Sequence, residues 1–147
     1  MRTFYLVTVW LHIVAAMAWI GGMVLFVTVV MPRVRRLDDP VRLPFLRGVI
    51  GRFRRAMWIA FGVLGLTGAL NVWLRGVDLS DVMSAEWRAG AFGHLVIAKL
   101  VLFLAAAGVV VLHERIGGSG RTRWLGRVTL VIGLIMVAIG VVLVRGA

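Results

Sequence analysis

Cysteine is absent from this 147-residue chain, which excludes disulfides, c-type haem attachment and thiolate metal sites. Acidic residues are scarce, 6 against 17 Lys and Arg, and the formal charge reaches +11. Lysine itself is nearly missing, since Lys99 is the only one among those basic residues. Proline occurs 3 times, at Pro32, Pro40 and Pro44, so nothing after position 44 carries the residue that interrupts helices. No acidic residue falls within a long apolar stretch and no nucleophile–base motif is present, which argues against a hydrolase.

What the chain has in abundance is apolar sequence. Hydrophobic residues make up 61% of it, against about 45–50% in soluble domains. Four long apolar stretches, roughly 4–31, 56–74, 91–112 and 124–144, are each long enough to cross a bilayer as a helix, the form that satisfies its own backbone in hydrocarbon. Ala16-Met17-Ala18 resembles a signal-peptide cleavage box, but apolar sequence continues to Met31, so cleavage would halve a helix. The expected architecture is all-α: a single integral membrane domain over 1–147, folded as an antiparallel four-transmembrane-helix bundle. Small residues on every span (Gly21 and Gly22; Gly62, Gly65 and Gly68; Ala105 to Gly108; Gly126, Gly133 and Gly140) permit the close approach on which helix association in lipid depends.

The charge is distributed rather than pooled. Residues 32–55 hold eight arginines and two aspartates, and 113–127 hold four arginines and Glu114. The loop 75–90 sets Asp78, Asp81 and Glu86 against Arg75 and Arg88. Alternation of this kind is the positive-inside pattern. It predicts a bacterial-type inner (cytoplasmic) membrane protein with both termini on the outer side and the loops 32–55 and 113–123 in the cytoplasm. The bilayer and its anionic lipids then account for the basic loops, at about 1 kcal/mol per arginine near the surface, and no nucleic-acid partner is implied. The prolines and the interleaved apolar residues of 32–55 suggest a segment lying on the membrane surface. Trp10, Trp58, Trp73, Trp87 and Trp124 fall toward span ends, where indole anchors at the interface. His113, beside Glu114 at a span end, reads as a surface histidine.

Polar residues inside the spans are the functional candidates. His12 in the first span and Lys99 in the third both fall roughly 12 Å from the predicted outer end at 1.5 Å per residue. His94, Thr67 and Asn71 lie in the outer half as well, Thr67 and Asn71 being four residues apart on one helix face. At 100° per residue, Tyr5, Thr8, His12, Ala16, Trp19, Met23 and Phe26 form one stripe, whose mixture of polar, aromatic and small side chains suits the lining of a pocket. Buried histidine serves either as a hydrogen-bonded core residue or as a metal or cofactor ligand; Lys99 either snorkels to the headgroups or faces inward as a catalytic or anion-binding group.

Haem suits this set best, with His12 as axial ligand, His94 as the second metal-ligand candidate, Thr67, Asn71 and Trp19 lining the site, and Arg75 and Arg88 placed to meet propionates. Copper is the alternative, although the seven methionines lack the close spacing of a soft-metal relay, and a non-catalytic subunit of a membrane assembly is a third. A haem reading implies an oxidoreductase or electron-transfer role with a membrane redox partner or quinone, and an oligomer is compatible with it.

The chain also resembles the membrane domain of the copper resistance protein D family over nearly its whole length. The matching pieces are Leu11-His12 with Trp19-Ile20-Gly21-Gly22, then Arg52-Phe53 leading to Leu66-Thr67-Gly68-Ala69-Leu70-Asn71, then Phe92-Gly93-His94-Leu95-Val96-Ile97-Ala98-Lys99-Leu100. The same pattern is similar to that of the HemJ-type membrane protoporphyrinogen oxidases. That likeness implies a haem-b protein in which His12 and Lys99 take the positions of the functional histidine and lysine. The tyrosine-rich continuation of the oxidases' first helix is replaced here by Trp19-Ile20-Gly21-Gly22.

Overall fold

The computed structural model describes residues 2–116 and 123–145, and all regular structure among them is helical. The stretch 117–122, part of the loop assigned to the cytoplasm, lies outside the described residues. Four helices are long and apolar enough to cross a membrane: Arg2–Val34, Pro40–Trp73, Ala91–Arg115 and Trp124–Arg145. The chain divides into two units, Met1–Arg75 and Gly76–Ala147.

In the first unit, α1 (Arg2–Leu25) passes through a π-helical turn (Phe26–Val30) into the short α2 (Met31–Val34). The wide turn sits where Pro32 would press its ring on the carbonyl four residues back, and the Met31 N–H instead reaches the carbonyl of Phe26. After a break, α3 runs without interruption from Asp39 to Trp73. It therefore includes most of the arginine-rich segment expected to lie on the membrane surface. The prolines do not prevent this. Pro40 lies in the first turn, where its missing N–H is an orphan in any helix. Pro44 forgoes a single bond, to the carbonyl of Pro40. At 35 residues, α3 is about 52 Å long, against a hydrocarbon core of about 30 Å. Its basic end is a rigid continuation of the span rather than a separate surface helix.

The core of this unit is a seam of α1 positions 8, 15, 19 and 23 against α3 positions 57, 60, 61, 64 and 67, all buried. Steps of three and four keep one face of each helix turned to the other. Cross-helix pairs fix the register: Tyr5 with Arg75, Thr8 with Asn71, His12 with Thr67, Trp19 with Phe61, Phe26 with Phe53. The numbers rise on one helix as they fall on the other, so the helices run in opposite directions. Gly76, at φ 79°, takes the left-handed conformation just past α3 that glycine adopts without steric cost.

In the second unit the expected loop 75–90 holds two short helices, α4 (Leu79–Met83) and α5 (Ala85–Ala89). Asp78 and Asp81 form a capping box on α4, and Ser84 accepts the Trp87 N–H at the start of α5. Then follow α6 (Ala91–Ile116) and α7 (Arg123–Arg145). Their core contains Ala106, Leu125, Thr129 and Met136. Lys99, early in α6, lies against Gly140, late in α7.

Candidate functional site

The side-chain hydrogen bonds between α1 and α3 lie toward the end where α1 begins, and the aromatic pairs follow along the seam. Closest to the helix ends, Arg75 Nε donates to the Tyr5 hydroxyl at 3.1 Å. One turn on, the Thr8 hydroxyl contacts both the Tyr5 carbonyl (2.8 Å) and the Asn71 side-chain amide (2.7 Å). A hydroxyl has one proton to give. The Asn71 atom it faces is Oδ1, so two acceptors share that proton.

One turn further, His12 Nδ1 lies 2.8 Å from Thr67 Oγ1. The Thr67 hydroxyl donates to the Val63 carbonyl at 2.6 Å, and a carbonyl can only accept. The proton between His12 and Thr67 therefore belongs to the imidazole. Nδ1–H donates to Thr67, and in the neutral ring Nε2 carries the lone pair. The other side of the ring meets Gly68, where a Cβ would stand 3.4 Å from His12 Cε1. Thr67 is buried and His12 half-buried.

Several residues of the stripe that contains His12 pack against α3. Trp19, expected to line a cofactor pocket, is 2% exposed and packs on Phe61 with ring centres 4.9 Å apart. Its indole Nε1 is enclosed and meets no acceptor among the described residues. Sequence periodicity identified the face correctly but cannot tell which neighbour covers it. Met23 and Met57 are buried in the same seam, as ordinary core methionines are.

In the second unit, Lys99 is half-buried, and Gly140 leaves space for its ammonium: a Cβ there would stand 3.2 Å from Nζ. His94 is exposed in the first turn of α6, its backbone N–H bonded to the Gly90 carbonyl. Arg88 is partly committed, donating from Nε to the Ser84 carbonyl and from Nη2 to the Met83 carbonyl, which caps the end of α4. His113 differs from the surface residue expected: it is half-buried, and its Nδ1 is enclosed without a partner among the described residues.

Two features escaped sequence reading. Val63 supplies the carbonyl that fixes the histidine tautomer, through a main-chain atom that no residue type advertises. Gly93 lies so close to the Trp87 carbonyl that any side chain would overlap it. Among the described residues no three His, Cys, Asp or Glu side chains come together as a metal site. No protein-family model, curated protein or solved structure matches the chain.

Proposed function

We propose that this chain is a haem-b-binding membrane protein with a redox or electron-transfer role, in which His12 is an axial ligand through Nε2. The observation that carries the reading is the Val63–Thr67–His12 relay. A metal-bound histidine characteristically donates its other ring N–H to a fixed acceptor, which sets both tautomer and ring orientation. Thr67 supplies that acceptor, and its own proton is held elsewhere. A porphyrin brings four nitrogen ligands, so the protein need supply only one or two.

Haem, when bound, supplies one-electron chemistry. The chain's own residues hold and tune the site. Thr67 orients the ligand, Gly68 gives the ring room, and the Thr8–Asn71 pair ties the adjacent turns of α1 and α3. Arg75 adds positive charge at that end of the unit, suited to propionates. The arginine asymmetry supports a cytoplasmic-membrane location with both termini outside, so the His12 end of the unit faces the outer leaflet. A quinone or membrane redox protein is the class of partner such a site would serve. The resemblance to the HemJ-type group supports the same cofactor, whereas that to the copper resistance protein D family implies the alternative, copper.

The test is a reduced-minus-oxidised spectrum of the protein purified from haem-supplemented cells. A sharp α band and a shifted Soret band are expected, both lost in His12→Ala while that variant still inserts. An unchanged spectrum in His12→Ala sinks the ligand assignment, and absence of both bands from the unmodified protein sinks the haem reading.

A further inference from the structure

The basic end of α3 carries a feature that the haem reading does not use. Gly48, Gly51, Arg52, Arg54, Arg55 and Trp58 line a hollow of about 550 Å³ on the helix surface. Two glycines make the hollow, since a Cβ built at Gly48 or Gly51 meets nothing within 4 Å. Arg52 and Arg55 are exposed and form no hydrogen bond or ion pair with any described residue. No acidic residue occurs anywhere between positions 40 and 77 to neutralise them. Arg52 and Arg55, three residues apart on one helix face, bring like charges close together, so an anion between them relieves a cost as well as adding bonds.

The place of the hollow identifies the anion. Directly after Arg55 the sequence of α3 turns apolar, and Trp58 stands at that border, where indole favours the headgroup layer. Beyond it Ile59 (61%) and Leu66 (65%) are exposed, with Gly62 open between them. A soluble anion would use only the arginines. A phospholipid would use both halves, its phosphate against Arg52 and Arg55 and its acyl chain along Ile59, Gly62 and Leu66. The geometry points to a binding site for one anionic phospholipid on this side of α3, with Arg52 and Arg55 holding the phosphate in bidentate fashion. The inference rests on the membrane reading and is independent of haem.

The test uses the full protein, reconstituted in phosphatidylcholine nanodiscs and titrated with phosphatidylglycerol, with binding read by native mass spectrometry and thermal shift. Arg52→Gln/Arg55→Gln is expected to weaken phosphatidylglycerol binding at least about tenfold, from the loss of two charge-assisted contacts made directly to the phosphate. Arg35→Gln/Arg36→Gln removes the same charge from the same predicted side and is expected to change binding less than about twofold. Equal losses in the two double variants would mean diffuse attraction to the basic segment and would overturn the site. Gly51→Leu keeps every charge, fills the hollow and remains helical, so it is expected to weaken binding as the arginine variant does. Unchanged binding in Gly51→Leu would also overturn the proposal. Inorganic phosphate at millimolar concentration is expected not to displace the lipid, and full displacement would assign the hollow to a soluble phosphate instead.

Discussion

The ring nitrogen Nδ1 of His12 and the hydroxyl oxygen of Thr67 lie 2.8 Å apart, though the residues are 55 positions apart in sequence. The pair gives the site its directionality. Because the Thr67 proton is held by Val63, the bond can form in only one sense, and it selects one of the two neutral imidazole tautomers. Thr67→Val keeps the branched shape and removes the acceptor. We expect haem affinity to fall by about 10–100-fold, as outer-shell changes typically cause, with the midpoint potential of any retained haem displaced. Thr67→Ser should restore both. Full haem content at the original potential in Thr67→Val would show that the hydroxyl does not orient the ligand.

Four long apolar helices and the polar residues within them were legible in the sequence, because hydropathy and the 100° rotation per residue are properties of one chain segment. What covered the His12 face of the first helix was not. Tyr5, Thr8, His12 and Trp19 would form the same stripe against α3, another helix or a cofactor, and only the paired positions on α3 settle which. The arginine-rich segment shows a different limit. Three prolines within 13 residues suggest interruption, yet Pro40 falls in the first turn, where its missing N–H is an orphan in any helix, and α3 continues through Pro44 despite the bond lost there.

Gly93 belongs to a short motif whose geometry gives it a purpose. Any Cβ there would overlap the Trp87 carbonyl, a main-chain atom that cannot swing aside, and the ring of Trp87 also packs edge-on against Phe92. Gly93→Ala should cost on the order of 1–3 kcal/mol through overpacking and speed hydrogen exchange across α4 and α5. Gly62→Ala, where the added carbon meets nothing, should instead be neutral or stabilising by up to about 1 kcal/mol. Indistinguishable melting and exchange in the two variants would remove the packing argument for Gly93.

Trp19 combines a large buried ring with an N–H that meets no acceptor among the described residues. An unsatisfied buried donor costs about 1–3 kcal/mol, so Trp19→Phe should lose little stability despite its smaller volume, because it also removes that donor. Trp19→Ala, which empties the centre of the seam, should cost about 3–5 kcal/mol. Thermal unfolding in one fixed detergent separates the two effects. If Trp19→Phe proves as damaging as Trp19→Ala, the indole N–H has an acceptor after all.

The proposed orientation depends on arginine placement alone, and the lack of native cysteine makes it directly measurable. Single cysteines at Arg42 and Asp78 should behave oppositely toward an impermeant thiol reagent added to intact cells. Asp78→Cys is expected to label and Arg42→Cys to label only after the membrane is opened. The reverse pattern would invert the topology and move the His12 end of the first unit to the cytoplasmic side.

Lys99 and Gly140 make the last pair that can be tested by exchange. The lysine is the only one in the chain, and the glycine opposite gives its ammonium room on the surface of α7. Lys99 forms no hydrogen bond or ion pair with any described residue, so its charge is available to an anionic ligand, to water or to a redox-linked proton. Gly140→Ala puts a carbon 3.2 Å from Nζ, close enough to push a flexible side chain by a few tenths of an ångström. The helix itself gains about 1 kcal/mol from exchanging glycine for alanine. The variant should therefore be as stable as the parent or more so, while the ammonium is displaced. Lys99→Met keeps the length and removes the charge. We expect Lys99→Met to insert normally with altered redox potential or activity, Gly140→Ala to shift the same property by a smaller amount, and the double variant to match Lys99→Met alone. That non-additivity assigns the effect of Gly140 to the position of the lysine. Should Lys99→Met leave every spectral and functional property untouched, the ammonium merely reaches for the headgroups, and Gly140 is only a packing residue.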